Sequence, residues 1–223
     1  MLDRNHALSG ALAGCAIAAI SHPTPVVSVL TVITTAGAGC LPDLDEPGSA
    51  VADTFGGISR AASHAVKTVA HGHRRGTHTI LAAAIVTAIV GVCAITFPAI
   101  TSVVMVGILT AIAFRCAAPK RWRRSIYGLI LAVGMAIVAS RYSLGILTVA
   151  CVGTGYILHL FGDVITASGT PIFLPFSEYK VKLPVLGRVG SWRERVAGIL
   201  IITGLVISVW FLFHHLIPTY RSL

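Results

Sequence analysis

Long apolar runs constrain this chain more than any other feature of its sequence. Charged residues make up only 11% of the 223 residues, and the mean hydropathy is +0.85. A soluble domain carries about 25% charged residues, so a chain with so little charge and such long runs folds in a membrane. We therefore expect one all-α integral membrane bundle over residues 1–223.

Seven apolar segments predict about seven membrane helices. They are Ala7–Ile20, Val26–Leu41, Thr79–Thr96, Ile100–Ala118, Tyr127–Ser140, Ser143–Leu160 and Val196–Ile217. A full span takes about 20 residues, so the first, second and fifth segments are short. Pro23 and Pro25 lie between the first two segments and interrupt the helix there, so the two segments form a hairpin that dips into the membrane or crosses it. The stretch Ser49–Ala70 has apolar and polar stripes at helical spacing, which predicts an amphipathic helix on the membrane surface or capping the bundle.

The distribution of charge predicts which face of the membrane each loop occupies. If every hairpin returns to its starting side, all 17 Lys and Arg residues except Arg141 and Arg221 fall on one side. The positive-inside rule makes that side cytoplasmic. All eight acidic residues and six of the nine histidines fall on the same side. We expect no cleaved signal peptide, because the run from Ala7 lacks a convincing cleavage site.

The formal net charge of +9 raises the question of a nucleic-acid partner. Basic residues that flank membrane spans and contact anionic lipid headgroups explain that charge more simply. We therefore expect membrane lipids as partners, and no nucleic acid.

Two short motifs outside the apolar segments hold candidate metal ligands. Asp43 and Asp45 follow the second apolar segment in an irregular loop, where two carboxylates can converge on one divalent cation. His73 and His78 are five residues apart, so they can share a site only across a loop-to-helix junction. The sequence predicts that junction at Thr77, as the N-cap of the following helix, with His78 in its first turn.

A third motif closes the sixth apolar segment. His159 and Asp163 are four residues apart, so they lie on one helical face and can bind the same metal. An ionisable pair at membrane depth is a candidate functional site. His6 begins the first apolar segment on the same side, and Glu194 lies just before the last one.

The donor types indicate the metal. Mixed imidazole and carboxylate ligands suit zinc, manganese or iron better than calcium. The number of candidates allows one or two divalent ions, and a pair of ions would polarise a phosphoryl group and activate water. The predicted ligands or their immediate partners are His6, Asp43, Asp45, His73, His78, His159 and Asp163.

These motifs, in this order, resemble the YdjM-type family of inner-membrane-associated metal-dependent hydrolases. The matching positions are His6, Pro42–Asp45, His73–His78, His159–Asp163, Thr166–Pro171, Ile172–Pro184 and Gly190–Glu194. This chain departs from the family pattern at Gly76, which stands one place later than usual, and at Ala167 and Glu46. None of these departures removes a predicted ligand.

The resemblance implies a metal-dependent hydrolase in a bacterial-type inner membrane. We expect a metal-activated water as its nucleophile. We also expect a phosphoester substrate, soluble or lipid-linked, because the short helices would place the site at the depth of the lipid headgroups. Glu194 would complete the site or accept a proton, and Arg74 or Arg75 would hold an anionic substrate by paired hydrogen bonds. Two other functions use the same residues. One is transport of a metal or protons, which needs ionisable groups through the full membrane depth. The other is a non-enzymatic protein whose metal only holds its loops together.

Overall fold

The computed structural model is helical, as the sequence predicts. It describes residues 1–21, 24–123 and 125–221, without the side chains of residues 120, 123 and 215–221. The α-helices are α1 (Asp3–Ser21), α2 (Pro25–Ala38), α3 (Gly57–Val69), α4 (Ile80–Thr96), α5 (Pro98–Ala117), α6 (Lys120–Arg123), α7 (Tyr127–Ala139), α8 (Gly145–Val164) and α9 (Trp192–Arg221). A 3-10 helix covers Leu41–Asp45. Within the described ranges, the β-structure consists of two isolated bridges between residues 166 and 187 and between 170 and 181.

Four helical stretches are long and apolar enough to cross a membrane. They are Pro25–Asp45, Pro98–Ala117, Gly145–Val164 and Trp192–His214. The helices α4 and α7 are apolar but shorter, and α1 extends over 19 residues, beyond the predicted Ala7–Ile20. His22 and His215, expected at the opposite interface, lie outside the described side chains.

Glycines allow α2 to lie very close to its neighbours. A Cβ on Gly10 of α1 would lie 2.5 Å from the Thr35 carbonyl oxygen of α2. One on Gly155 of α8 would lie 2.6 Å from the Ala38 Cβ. Small residues at helix crossings give such approaches in membranes, where packing drives helix association.

The closely packed helices share one apolar core directly behind the ligand motifs. Ala7, Cys40 and Val152 are buried in it together with residues of α5. Ala7 follows His6, and Cys40 immediately precedes the 3-10 helix that holds Asp43 and Asp45. The core therefore fixes two ligand segments at the same end of the bundle.

The amphipathic helix is shorter than the sequence indicates. We expected Ser49–Ala70, but residues 49–56 form turns and the helix begins at Gly57. Gly56 has a φ of 64°, and the Ser59 hydroxyl binds the Ala52 carbonyl and the Phe55 amide, which closes the turn before the helix. Local hydrogen bonding by Ser59 therefore competes with the helical pattern.

A candidate metal centre at one end of the bundle

Four side chains from three separate segments converge at the end of α8. The His78 and His159 Nε2 atoms are 3.2 Å apart. Asp43 Oδ1 is 3.6 Å from each of them. Asp163 Oδ2 is 3.6 Å from His78 Nε2 and 3.9 Å from His159 Nε2. The structure thus brings together residues from all three predicted motifs.

These separations fit a metal ion. Bonds of about 2.0–2.1 Å to four ligands put neighbouring ligand atoms about 3.3 Å apart. Asp163 is fully buried, and its Oδ2 has no hydrogen-bond partner among the described residues. A buried carboxylate oxygen without a partner is costly, so a cation between these four side chains explains the arrangement.

His159 is held by the backbone of α2. Its Nδ1 lies 2.8 Å from the Gly39 carbonyl oxygen, which can only accept a hydrogen bond. Nδ1 must therefore carry the hydrogen, and Nε2 presents its lone pair to the cluster. The close approach of Gly155 to Ala38 and Gly39 keeps α8 near enough for this bond.

His78 is oriented by the second carboxylate of the acidic loop. Its Nδ1 lies 3.3 Å from Asp45 Oδ2, which directs Nε2 at the other ligand atoms. Asp45 also binds His73 Nδ1 at 2.7 Å, the Arg74 amide at 3.2 Å and the Thr77 hydroxyl. These contacts occupy both of its oxygens. Asp45 therefore stands behind the ligand histidine, as carboxylates often do in metal sites.

The charge around His78 changes its acidity. Burial alone would lower the pKa of His78, but the contacts with Asp43 and Asp45 outweigh it and raise the pKa from 6.5 to about 9. A nearby carboxylate favours the charged form of an imidazole. A metal ion would have to displace this proton.

The loop before α4 differs from the prediction at its cap. Thr79, not Thr77, caps α4 by accepting from the Ala82 amide, so His78 lies in the loop and not in the first turn. Thr77 faces Asp45 instead. Gly76 is close-packed in this loop, since a Cβ there would lie 2.9 Å from the Ala70 Cα.

Arg74 connects the cluster with a polar cavity. Its φ of 58° is rare outside glycine and lets its amide reach Asp45 while its side chain turns to Asp163. Nη2 lies 3.1 Å from Asp163 Oδ1, and Nη1 binds the Ser168 hydroxyl. Arg74 and His73 also line a cavity of about 350 Å³, so residues in contact with the cluster border an open space.

His6 lies against the cluster without joining the four central atoms. Its ring stacks on His159 with centroids 3.7 Å apart, and its Nε2 is 3.5 Å from Asp163 Oδ1. The same oxygen contacts the Met1 amine at 2.5 Å and the Arg74 guanidinium. The described residues contain two groups whose donor atoms are close enough to hold an ion, one of Asp43, Asp45, His73 and His78 and one of His6, His159 and Asp163.

Glu194 lies in a different environment from the one we expected. It is fully buried, and its oxygens accept from the Leu2 amide at 2.6 Å, the Gly190 amide at 2.5 Å and the Asn5 side chain at 3.4 Å. Its contacts therefore join the start of α1 to the start of α9. None of these partners belongs to the cluster.

The sequence analysis missed three residues that hold the site in place. The Tyr156 hydroxyl donates to the Thr77 carbonyl at 2.6 Å, and Thr170 donates to the His78 carbonyl at 3.3 Å. Tyr156 precedes His159 by three residues, so helical spacing could have identified it. Ser168 and Thr170 lie in an irregular segment, where spacing gives no such signal.

Comparison with known proteins gives one match. The family model described as YdjM inner membrane protein matches residues 1–119 and 124–218, which is nearly the whole chain. No curated protein and no solved structure matches this chain.

Proposed function

This chain belongs to the YdjM family of inner membrane proteins, and from that premise we propose that it is a metal-dependent phosphoester hydrolase. Its apolar helices and its family agree on a membrane location. We propose that the catalytic end of the bundle faces the cytoplasm, because nearly all Lys and Arg residues belong to loops on that side.

The convergence of Asp43, His78, His159 and Asp163 carries the proposal. Five of the six pairs among these four donor atoms are 3.2–3.9 Å apart. The Asp163 Oδ2 has no hydrogen-bond partner among the described residues. Imidazole and carboxylate donors suit zinc or manganese. One bound ion would polarise a phosphoryl oxygen and lower the pKa of bound water towards neutrality.

The residues around these ligands have separate tasks in the proposed reaction. Arg74 is fixed by Asp163 and Ser168, so its guanidinium is positioned to hold phosphoryl oxygens. His73 donates a proton to the leaving-group oxygen, because Asp45 binds its Nδ1 and leaves Nε2 for the cavity that His73 lines. Glu194 positions the N-terminal segment and takes no proton from the reaction.

Metal analysis tests the ligand set first. Elemental mass spectrometry on detergent-purified protein should give about one equivalent of zinc or manganese in the wild type. His159→Ala and Asp43→Ala should both lose it, because they remove ligands from different segments. Glu178→Gln, at an exposed carboxylate, is the matched control and should keep the metal. A wild type without metal after incubation with either ion would contradict the proposal.

A second measurement separates a catalytic metal from a structural one. His73→Gln should keep the metal but lose hydrolysis of a panel of phosphoesters, because His73 serves the leaving group and not the ion. If the wild-type protein binds metal and hydrolyses no phosphoester, the ion only holds the loops together. Transport is not favoured by any contact that the described residues make.

A further inference from the structure

The polar cavity beside the cluster carries an excess of positive charge. Its charged lining side chains are Arg74, Arg75, Lys180 and Glu178. His73 also lines it. Glu178 is paired with Arg75, with Nη2 and Oε1 3.0 Å apart. Arg74 is paired with Asp163, so Lys180 supplies the remaining positive charge of the lining, which suits an anionic group.

A second groove, of about 400 Å³, adjoins this cavity. The cavity and the groove share Arg75, Leu174 and Glu178 as lining residues. The rest of the groove lining is mainly apolar and includes Leu81 and Ile85 on the outer face of α4. The polar cavity therefore lies next to an apolar groove, and Arg75 faces both.

The apolar groove opens onto a face of α4 that no part of the described chain covers. Leu81, Ile85, Ile89 and Val92 are all exposed, by 42% to 65%. Their spacing puts them on one side of the helix. In a membrane protein such a face lies against lipid, so the groove leads from the charged cavity into the hydrocarbon layer.

We propose that the substrate of this site is an anionic lipid phosphoester, with its headgroup in the cavity and one hydrocarbon chain along α4. This proposal rests on the proposed hydrolase function and names its substrate class. A free phosphate monoester would share the headgroup chemistry but would leave the groove unused. The chain of a bilayer lipid already lies in hydrocarbon, so the groove contributes by holding the lipid beside the cavity, and the charged lining selects the headgroup.

Fluorescence quenching tests binding without requiring catalysis. A tryptophan replaces Ile85 in a background where Trp122, Trp192 and Trp210 are phenylalanine. The protein is placed in phosphatidylcholine nanodiscs that contain either dibrominated phosphatidate or dibrominated phosphatidylcholine. Half-maximal quenching should need an about tenfold smaller mole fraction of phosphatidate, which corresponds to ~1.4 kcal/mol.

Two variants supply the controls. Val133 is exposed on α7 and is the seventh residue of that helix, as Ile85 is the sixth residue of α4. Because basic residues such as Arg121 precede α7, Val133→Trp reports the non-specific attraction of anionic lipid to basic loops. There the two lipids should quench with similar midpoints. Arg75→Gln combined with Ile85→Trp should remove the preference for phosphatidate, while the metal content stays unchanged.

Two results would overturn the substrate proposal. One is equal midpoints for the two lipids at Ile85→Trp. The other is complete loss of the preference on adding glycerol phosphate equimolar to the lipid, because the hydrocarbon chain would then contribute nothing. Either result would leave the metal analysis intact, so the failure of this proposal is distinct from that of the hydrolase function.

Discussion

Two buried carboxylates at the same end of the bundle have opposite environments. Asp163 and Glu194 are both fully buried, and both contact the first residues of the chain. Glu194 has donors on both oxygens, two of them backbone amides. Asp163 has one oxygen crowded by positive groups and the other without a hydrogen-bond partner among the described residues. Burial alone therefore does not identify a chemical site; an unpaired buried oxygen facing two imidazoles does.

The largest effect should follow from Asp163→Asn. An amide oxygen is a much weaker metal ligand than a carboxylate, and the change also removes a negative charge from a buried site. We expect the metal affinity to fall by about 100-fold or more, since losses of 10–100-fold are typical even for residues behind the ligands. Competition with a fluorescent zinc chelator would measure it.

Glu178→Gln is the control for Asp163→Asn, because its carboxylate is exposed and pairs with Arg75. Its metal affinity should stay within a few-fold of the wild type. Circular dichroism would establish that both variants retain their helices. An unchanged affinity in folded Asp163→Asn would mean that the unpaired oxygen has no part in metal binding.

A smaller effect should come from pH. His78 must be neutral to bind a metal, and its pKa of about 9 means that binding displaces a proton at neutral pH. The association constant should therefore rise about tenfold per pH unit below pH 9 and level off above it. In Asp45→Asn the plateau should begin at a lower pH, because Asp45 contributes to the raised pKa. A constant affinity across this range would mean that metal binding displaces no proton from His78.

The sequence predicts the surroundings of Asp163 but not those of Glu194. His159 and Asp163 are four residues apart on one helix, and such spacing fixes a shared face wherever the helix packs. The partners of Glu194 are the amides of Leu2 and Gly190. Every residue except proline carries an amide, so no residue type or spacing in the sequence marks such partners.

Asp43 and Asp45 show the same limit of prediction from sequence, although they are only two residues apart. The sequence identifies Asp43 and Asp45 as a pair of candidate ligands, but it does not distinguish their tasks. The 3-10 turn directs Asp43 to both ligand imidazoles and Asp45 to the outer nitrogen of His78. That division depends on the turn and on where the His78 loop packs, and both are set by tertiary contacts.

The smallest effect on metal binding should come from Glu194→Gln, although this change should destabilise the fold. Glutamine offers one acceptor oxygen where the structure needs two, so its NH₂ group would face an amide donor at Leu2 or Gly190. Leaving a buried donor unsatisfied costs about 1–3 kcal/mol. For a chain of this length, that corresponds to a fall in Tm of roughly 2–10 °C.

Thermal unfolding in detergent should be measured on the same preparation of Glu194→Gln as the metal content. The two measurements together test whether Glu194 and Asp163 have different tasks. We expect a lower Tm with unchanged metal stoichiometry, the reverse of Asp163→Asn, because the Glu194 carboxylate holds the chain segments and not the ion. A Glu194→Gln protein that keeps its Tm but loses its metal would reverse the assignment. Glu194 would then belong to the metal centre, and its three hydrogen bonds would serve to position a catalytic carboxylate.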